Sequence, residues 1–404
     1  MKNVTFVKQC YGCGVCAASC SKGIINIRLN KNGFYAPYID EPEKCTKCGL
    51  CVDVCAFDHS ELALKSNEVQ IRSWAAWSND ETVRRKCSSG GIGFEIGKQL
   101  IELGYHAVGC RYDVREQRAE HYIATSVQEF IQSIGSKYIQ SYTADAFKQI
   151  KRRGQKYLIT GTPCQIDSFR RMVRKFNCEQ NFILMDFYCH CVPSMFAWKS
   201  YIKMLEPKIG EVNYASWRNK FEYGWHDSWL MGVDGEKTST PIDWHDSYNL
   251  LLREKKPFIQ SRKSQGDIFY KLFLGDICLG PQCEKQCKYK YDKSSADIRI
   301  GDLWGNTYRD DQKGVSALVA FTKRGCQVVE ALKDVTLVEH PLEVVAEGQM
   351  KKNARAREMT PLVMAFLRRG VRLDSLLFRL ILNVQKLIIY AEAGVKKMFK
   401  YTIN

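Results

Sequence analysis

The period of apolar and polar positions changes several times along this chain, and each change marks an element. From Ile24 to Ile39 the sequence IINIRLNKNGFYAPYI alternates apolar residues on either side of Asn32-Gly33. That pattern predicts a β-hairpin with a primed two-residue turn. Polar residues Lys65 to Glu68 then interrupt the pattern as a linker. Strand-like VQIRSWAAW begins at Val69, and the amphipathic run FEIGKQLIELG from Phe94 takes the helical period. Strands are expected at His106 to Tyr112, Glu120 to Ala124, Lys156 to Thr160 and Phe182 to Phe187, with helices at Val127 to Ile134 and Ala144 to Arg152. Residues 195 to 260 read as mixed, and VSALVAFTKRG from Val315 reads as a closing hairpin. Strands that alternate with helices predict an α/β sheet, α+β over the whole chain.

From Leu362 to Lys400 the period is helical throughout. Leu373, Leu376, Leu377, Leu380, Ile381, Val384, Leu387, Ile388 and Ala391 form an apolar stripe, while Arg372, Arg379 and Lys386 recur every seventh residue away from it. Two placements suit such a helix: packing on its own domain or a partner, or lying in a membrane interface. Phe378, Leu382 and Ile389 widen the apolar face toward the second.

The chain has 404 residues, 45% of them hydrophobic, enough for two or three domains. The expected division is a module at 1–65, a domain at 70–345 and a basic tail at 350–404. No uncharged apolar run reaches the ~18 residues of a membrane span. The net charge of +16 is unevenly spread. Residues 1–70 carry 8 Lys+Arg against 7 Asp+Glu, whereas 351–404 carry 12 against 3. A basic tail suits an anionic lipid surface or an acidic partner. Nucleic acid is not expected, because no basic-aromatic interleaving accompanies the charge.

Of 18 cysteines, eight carry the chemistry of the first module. Cys10, Cys13, Cys16 and Cys20 form C-x-x-C-x-x-C-x-x-x-C, and Cys45, Cys48, Cys51 and Cys55 repeat that spacing. Three thiolates at i, i+3 and i+6 wrap one cube, while the fourth is carried to the other cube. The assignment is Cys10, Cys13, Cys16 and Cys55 for one 4Fe-4S cluster, and Cys45, Cys48, Cys51 and Cys20 for a second. A zinc site would close two C-x-x-C pairs into one tetrahedron, and a disulfide scaffold does not suit this long chain. Ser21 and Ala56 stand where a proline normally follows the fourth cysteine of a ferredoxin run. So much thiol chemistry, together with an amino terminus that shows no apolar signal stretch, points to a reducing cytoplasm.

Further candidates lie in the loops of the large domain. Ser88, Ser89, Gly90 and Gly91 precede a helix, where backbone amides cradle an anion or a serine merely caps the helix. Gly161-Thr162-Pro163-Cys164-Gln165 follows a strand, and Cys164 is a candidate reactive thiol or a plain buried one. Asp186, Cys189, His190 and Cys191 crowd another strand end, suited to proton transfer, flavin contact or metal ligation. Arg218 and Lys220 sit among the aromatics Trp217, Phe221, Tyr223 and Trp225, as for a planar anion. Cys278, Cys283 and Cys287 form a later thiol group whose spacing fits no standard site.

In their order these segments resemble the beta-subunit family of coenzyme F420 hydrogenases and dehydrogenases. The shared elements are the dicluster start, SSGG from Ser88, GSKYIQS from Gly135, GTPCQ from Gly161, D-x-x-C-H-x-V-P-S from Asp186, R-x-K-x-x-x-G-W from Arg218, and D-I-x-x-G-D-x-W-G from Asp297. The resemblance spans residues 5 to about 330 and implies FAD beside the 4Fe-4S clusters. It implies that Ser88, Ser89, Gly90 and Gly91 cradle the flavin phosphates, that Lys137, Tyr138, Thr162, Pro163, Cys164 and Gln165 surround the flavin, and that Asp186, Cys189 and His190 border the reaction face. The implied activity moves electrons between reduced ferredoxin, or another electron-transfer protein, and coenzyme F420 or another organic substrate. Many bacterial members accompany polysaccharide-synthesis enzymes. The alternatives are an electron-relay subunit without its own substrate and a structural member of an envelope-polysaccharide assembly. The expected location is cytoplasmic or peripheral to the inner membrane face. Cys191 replaces the family's usual glycine, Trp217 its usual phenylalanine, and its late C-x-x-C is C-x-x-x-C here at Cys283 and Cys287.

Overall fold

In the computed structural model of the chain, the described residues are 3–7, 10–220, 222–237 and 259–402, with side chains to residue 391. Phe221, residues 238–258 of the mixed segment and the side chains of the helix's last turns lie outside them. The strands are β1 (Ile25–Leu29), β2 (Tyr35–Ile39), β3 (Arg72–Ser78), β4 (His106–Asp113), β5 (Arg118–Ala124), β6 (Ser141–Tyr142), β7 (Tyr157–Thr160), β8 (Phe182–Phe187), β9 (Val212–Ser216), β10 (Leu230–Gly235), β11 (Ile259–Arg262), β12 (Ile298–Asp302), β13 (Ser316–Ala320) and β14 (Val335–Glu339). Nine of them form the central sheet in the order β14-β3-β13-β12-β8-β7-β4-β5-β6, and β11-β10-β9 form a smaller one.

At the centre, β4, β7, β8 and β12 run parallel, with antiparallel strands on both flanks. The sequence explains the split. β7 and β8 are near-continuous apolar runs covered on both faces, as parallel strands require. The Pro163–Lys175 helix covers one face, where Ile166, Phe169 and Val173 pack against Tyr157, Phe182 and Leu184. It starts with a Thr162/Gln165 capping box and Pro163 in its first turn. On the other face Ile92, Ile96 and Leu100 of the Ile92–Glu102 helix meet Leu158, Ile183 and Leu318. Loops after β7 and β8 therefore open side by side at the carboxyl ends of adjacent parallel strands, where α/β sheets hold ligands.

Three local expectations need correction. The hairpin turn is a five-residue loop, because Leu29 pairs with Tyr35 and the Asn30 carboxamide accepts from the Asn32 and Phe34 amides. An Asx turn has displaced the two-residue turn. The run from Val315 forms β13 and then the Lys323–Glu330 helix rather than a hairpin, since Thr322 caps that helix through the Gly325 amide. The tail is two helices, Thr360–Arg368 and Leu376–Thr402, parted at Gly370 with φ +67. Glycine is the residue that takes this left-handed turn without strain.

The first 65 residues are bonded into the large domain. Ser168 Oγ accepts from the Ala56 amide at 3.0 Å and from Cys13 Sγ at 3.3 Å. Gln140 accepts from the Tyr35 amide and donates to the Gly33 carbonyl, both at 3.1 Å. Lys288 Nζ donates to the carbonyls of Ala56, His59 and Glu61.

Candidate functional site

Two stretches of the first module have the same backbone. Gly14 and Gly49 are the left-handed N-caps of the short helices Val15–Ser19 and Leu50–Asp53, and Gly12 and Lys47 hold the matching positive φ two residues earlier. Burial pushes the Cys16 thiol well up, with Cys13, Cys10, Cys55 and Cys51 as neighbouring sulfurs. Burial also raises Cys51, whose neighbours are Cys48 and Cys20. A cavity lined by Cys20, Cys45, Cys48 and Cys51 marks the second set. The Gly12 amide lies 3.1 Å from Cys10 Sγ, an N–H directed at sulfur. Eight thiols in two groups of four, with amides aimed at sulfur, fit the donor chemistry of two 4Fe-4S clusters.

A third sulfur-lined cavity stands at the carboxyl ends of β7 and β8. Its space is ≈ 630 Å³ out to the open mouth, and its walls include Tyr11, Cys164, Cys189, His190, Cys283 and Cys287. Burial raises Cys164 well above the usual thiol range, and Cys283 and Cys189 raise it further. Burial takes Cys189 to about 11, with Cys287 adding and Lys290 opposing. Cys283 reaches about 12 by burial, with Cys189 adding. Burial holds these thiols protonated when nothing binds them, and the five cysteines of the wall, Cys191 included, are soft-metal donors. Cys278 is not on this wall. It is buried in the core, and its carbonyl accepts from the Ser194 amide at 2.8 Å. His190 is on the wall. Its Nε2 lies 2.8 Å from Asp276 Oδ1 and its Nδ1 2.8 Å from Met350 Sδ. The carboxylate fixes Nε2 as the protonated nitrogen.

Behind the segment Ser136 to Ser141, the Ser-Gly loop forms a second centre. Ser88 Oγ accepts from the Ser136 amide and hydroxyl, Ser89 Oγ donates to the Val315 carbonyl, and the Gly90 amide donates to Ser316. A Cβ at Gly90 would lie 2.4 Å from the Ala76 carbonyl oxygen, so only glycine fits there. Arg218 donates to Ser88 O, Tyr138 Oη and Asp302, and lies over Trp229 and Trp304. Lys220 Nζ donates to the carbonyls of Arg84, Ser89 and Lys313, and Lys137 Nζ to those of Gln132, Ser133 and Ile134. Burial lowers both lysines to about 8. The Ile92–Glu102 helix begins at Gly91 without a side-chain cap, and buried Glu95 stands in its first turn.

Residues 9–59 match the 4Fe-4S dicluster domain, and residues 154–343 match the carboxyl-terminal region of the coenzyme F420 hydrogenase/dehydrogenase beta subunit. Over residues 154–343 the chain is similar to that beta-subunit family. The protein is thus an oxidoreductase-type, iron–sulfur electron-transfer chain related to those beta subunits. Among solved structures it is similar to a chain of the F420-reducing [NiFe] hydrogenase complex from Methanosarcina barkeri, at 15% identity, covering 76% of this chain and 91% of that one, with TM-score 0.42. No curated protein matches it in sequence.

The residues that the beta-subunit resemblance groups around one flavin fall into two places. Thr162, Pro163, Cys164, Gln165, Cys189 and His190 line the sulfur cavity. Ser88, Ser89, Gly90, Gly91 and Tyr138 gather around Arg218 and the start of the Ile92–Glu102 helix. Lys137 lies beside buried Cys87 and half-buried Cys110. Asp186 joins neither: both its oxygens bond Arg299, one also accepts from Ser294, and its side chain is fully buried. Its role is to hold Arg299, which in turn binds the carbonyls of Tyr289, Tyr291 and Lys293 behind the cavity. Of the two readings of Cys164, burial, which raises its thiol well above the usual range, favours the plain buried one in the unliganded cavity. The planar-anion reading of Arg218 and Lys220 also changes, because their donors already meet Asp302 and backbone carbonyls. Sequence reasoning missed the partnership of Cys283 and Cys287 with Cys164 and Cys189, which the shared cavity supplies. It also missed Asp276, for which no motif gave a signal.

Proposed function

We propose that the chain is a flavin-dependent iron–sulfur oxidoreductase that passes electrons from a ferredoxin-type donor through the dicluster module and the sulfur cavity to FAD, for use on an organic substrate. The observation that carries this reading is the placement of Tyr11 and Gly12. They follow ligand Cys10 and at the same time wall the cavity of Cys164, Cys189, Cys283 and Cys287. A centre held by those four thiols would stand next to the first cluster, with no domain motion needed between them.

FAD, when bound, exchanges single electrons with iron–sulfur centres and a hydride with an organic substrate. The residues toward it divide the work. The uncapped start of the Ile92–Glu102 helix would present backbone amides to its phosphates, and Lys137 with buried Lys220 would supply positive charge, Arg218 being paired with Asp302. Gly90 and Gly91 allow close approach. His190 stands in the cavity wall with its ring fixed by Asp276 through Nε2. The hydride acceptor is coenzyme F420 or another organic compound, the polysaccharide-linked substrates being the second set to try.

One observation favours a relay subunit without flavin: the Ser88 and Ser89 hydroxyls are already bonded to protein. A single experiment separates the two readings. Anaerobically purified protein is assayed for iron, sulfide and flavin, reduced with ferredoxin and mixed with oxidised F420. About twelve irons with one FAD is the expected composition, given about four irons per cubane and three sulfur sites. About eight irons would remove the third centre. Iron without flavin would establish the relay, and flavin without F420 reduction would move the search to sugar-linked substrates.

A further inference from the structure

The Leu376–Thr402 helix has two apolar faces and spends only one on the fold. Phe378, Ile381 and Gln385 are buried. Phe378 meets Phe366 of the Thr360–Arg368 helix with ring centroids 6.4 Å apart, and Gln385 accepts from the Met359 amide and donates to Glu358. That face fastens the helix to its own chain. The other face stays open: Leu376, Leu380 and Leu387 are 84%, 57% and 67% exposed, and Leu377, Val384 and Tyr390 extend the patch. Leu376, Leu380, Val384 and Leu387 are spaced as one continuous stripe along a helix. Six of the fourteen exposed large hydrophobics among the described residues fall between Leu376 and Tyr390, so the patch is concentrated rather than scattered.

Along one edge of the stripe run Arg379 and Lys386, both exposed, and at seven-residue spacing they drift by only ~20°, so they stand in a row parallel to the leucines. Arg372 is paired with Asp374 at 2.7 Å, and the sequence continues with Lys396, Lys397 and Lys400.

We propose that this helix lies flat on an anionic lipid surface, with Leu376, Leu380 and Leu387 at the acyl boundary and Arg379 and Lys386 at the headgroup phosphates. No helix of the described residues is long and apolar enough to cross a membrane, so the contact is in the plane of the surface. Charge selects this occupant. A second copy seated on the stripe would bring two segments of 12 basic and 3 acidic residues face to face, whereas anionic headgroups neutralise them. The proposal does not depend on the electron-transfer reading.

The test is co-sedimentation of the full-length protein with vesicles of phosphatidylglycerol and phosphatidylcholine, against phosphatidylcholine alone. The expected result is binding to the anionic vesicles that weakens as salt rises from about 0.1 M to about 0.5 M. Leu380→Asp with Leu387→Asp is expected to lower that binding ~10-fold or more at unchanged iron content. Arg379→Glu with Lys386→Glu, which leaves the leucines in place, is expected to lower it at low salt only. Protein that stays in solution with anionic vesicles at low salt overturns the proposal. So does a solution dimer that the two Leu→Asp changes convert to monomer, which would assign the stripe to a second copy.

Discussion

Lys137 and Lys220 are buried ammonium groups that donate to backbone carbonyls, and burial brings each from 10.5 to about 8. Below about pH 8 both are charged in the folded protein. The unfolded chain keeps its lysines charged to about 10.4. Between those values the unfolded state binds more protons, so these two sites add stability as pH rises through that window. The field toward an anion moves the other way, because the folded protein loses two positive charges there. Flavin affinity followed by fluorescence should therefore weaken above pH about 8, and Lys137→Met should weaken it at pH 7 and flatten its pH profile. An unchanged profile in that variant would place the phosphates elsewhere. The sulfur cavity gives a second expectation at this scale. Cys287→Ser should remove about four irons from the anaerobic protein and leave the dicluster signals intact.

At the scale of elements, Asp186 shows how a strand-end motif conceals a structural role. The run DFYCHCVPS gives Asp186, Cys189 and His190 equal standing, yet β8 sends alternate side chains to opposite faces. In register with Arg299 across the parallel β8–β12 pair, Asp186 faces the guanidinium, while Cys189 and His190 fall beyond the strand and turn into the cavity. Removing one partner of such a pair leaves the other charge buried. Asp186→Ala should cost ~3–5 kcal/mol, read by denaturant unfolding, and lower the yield of folded protein rather than kcat alone. Folded, stable protein with lost turnover would return Asp186 to a chemical role. Much of the fold was legible for the same reason that this residue was not. Central strands and covering helices follow from apolar period, and β4, β5, β7 and β8 start or end within a few residues of their expected places. Partners from distant segments leave no period. Arg299 for Asp186, Asp276 for His190, and Cys164 with Cys287 are joined only by the order of strands in the sheet. The Asn30 turn and the Gly370 break were missed because single side chains or single φ values decide them.

Across the whole molecule, the iron–sulfur module is a wall of the large domain's cavity rather than a tethered carrier. Its small core of Val4, Ile24, Ile25, Ile27 and Tyr35 packs around Cys16, and its ligand loops carry their positive-φ backbone with few bonds of their own. Metal binding is then part of the folding free energy of residues 10–59, as in other small metal-held modules. The bonds from Ser168 to Cys13 and Ala56, from Thr143 to the Cys13 carbonyl and from Lys288 to Ala56 transmit that dependence to the start of the Pro163–Lys175 helix. Stripping the iron anaerobically should therefore raise hydrogen exchange over residues 10–59, at Thr143 and in the first turn of that helix. The parallel strands β4, β7, β8 and β12 should stay protected, since their cores lie between helices on both faces. The Leu376–Thr402 helix should also stay protected, because Phe378 and Ile381 are buried in one core with Met195, Trp198 and Tyr201 of the large domain. Exchange confined to residues 10–59, with the Pro163–Lys175 helix unmoved, would mean that the module docks without coupling to the cavity, and the short path through Tyr11 and Gly12 would then lose its mechanical support.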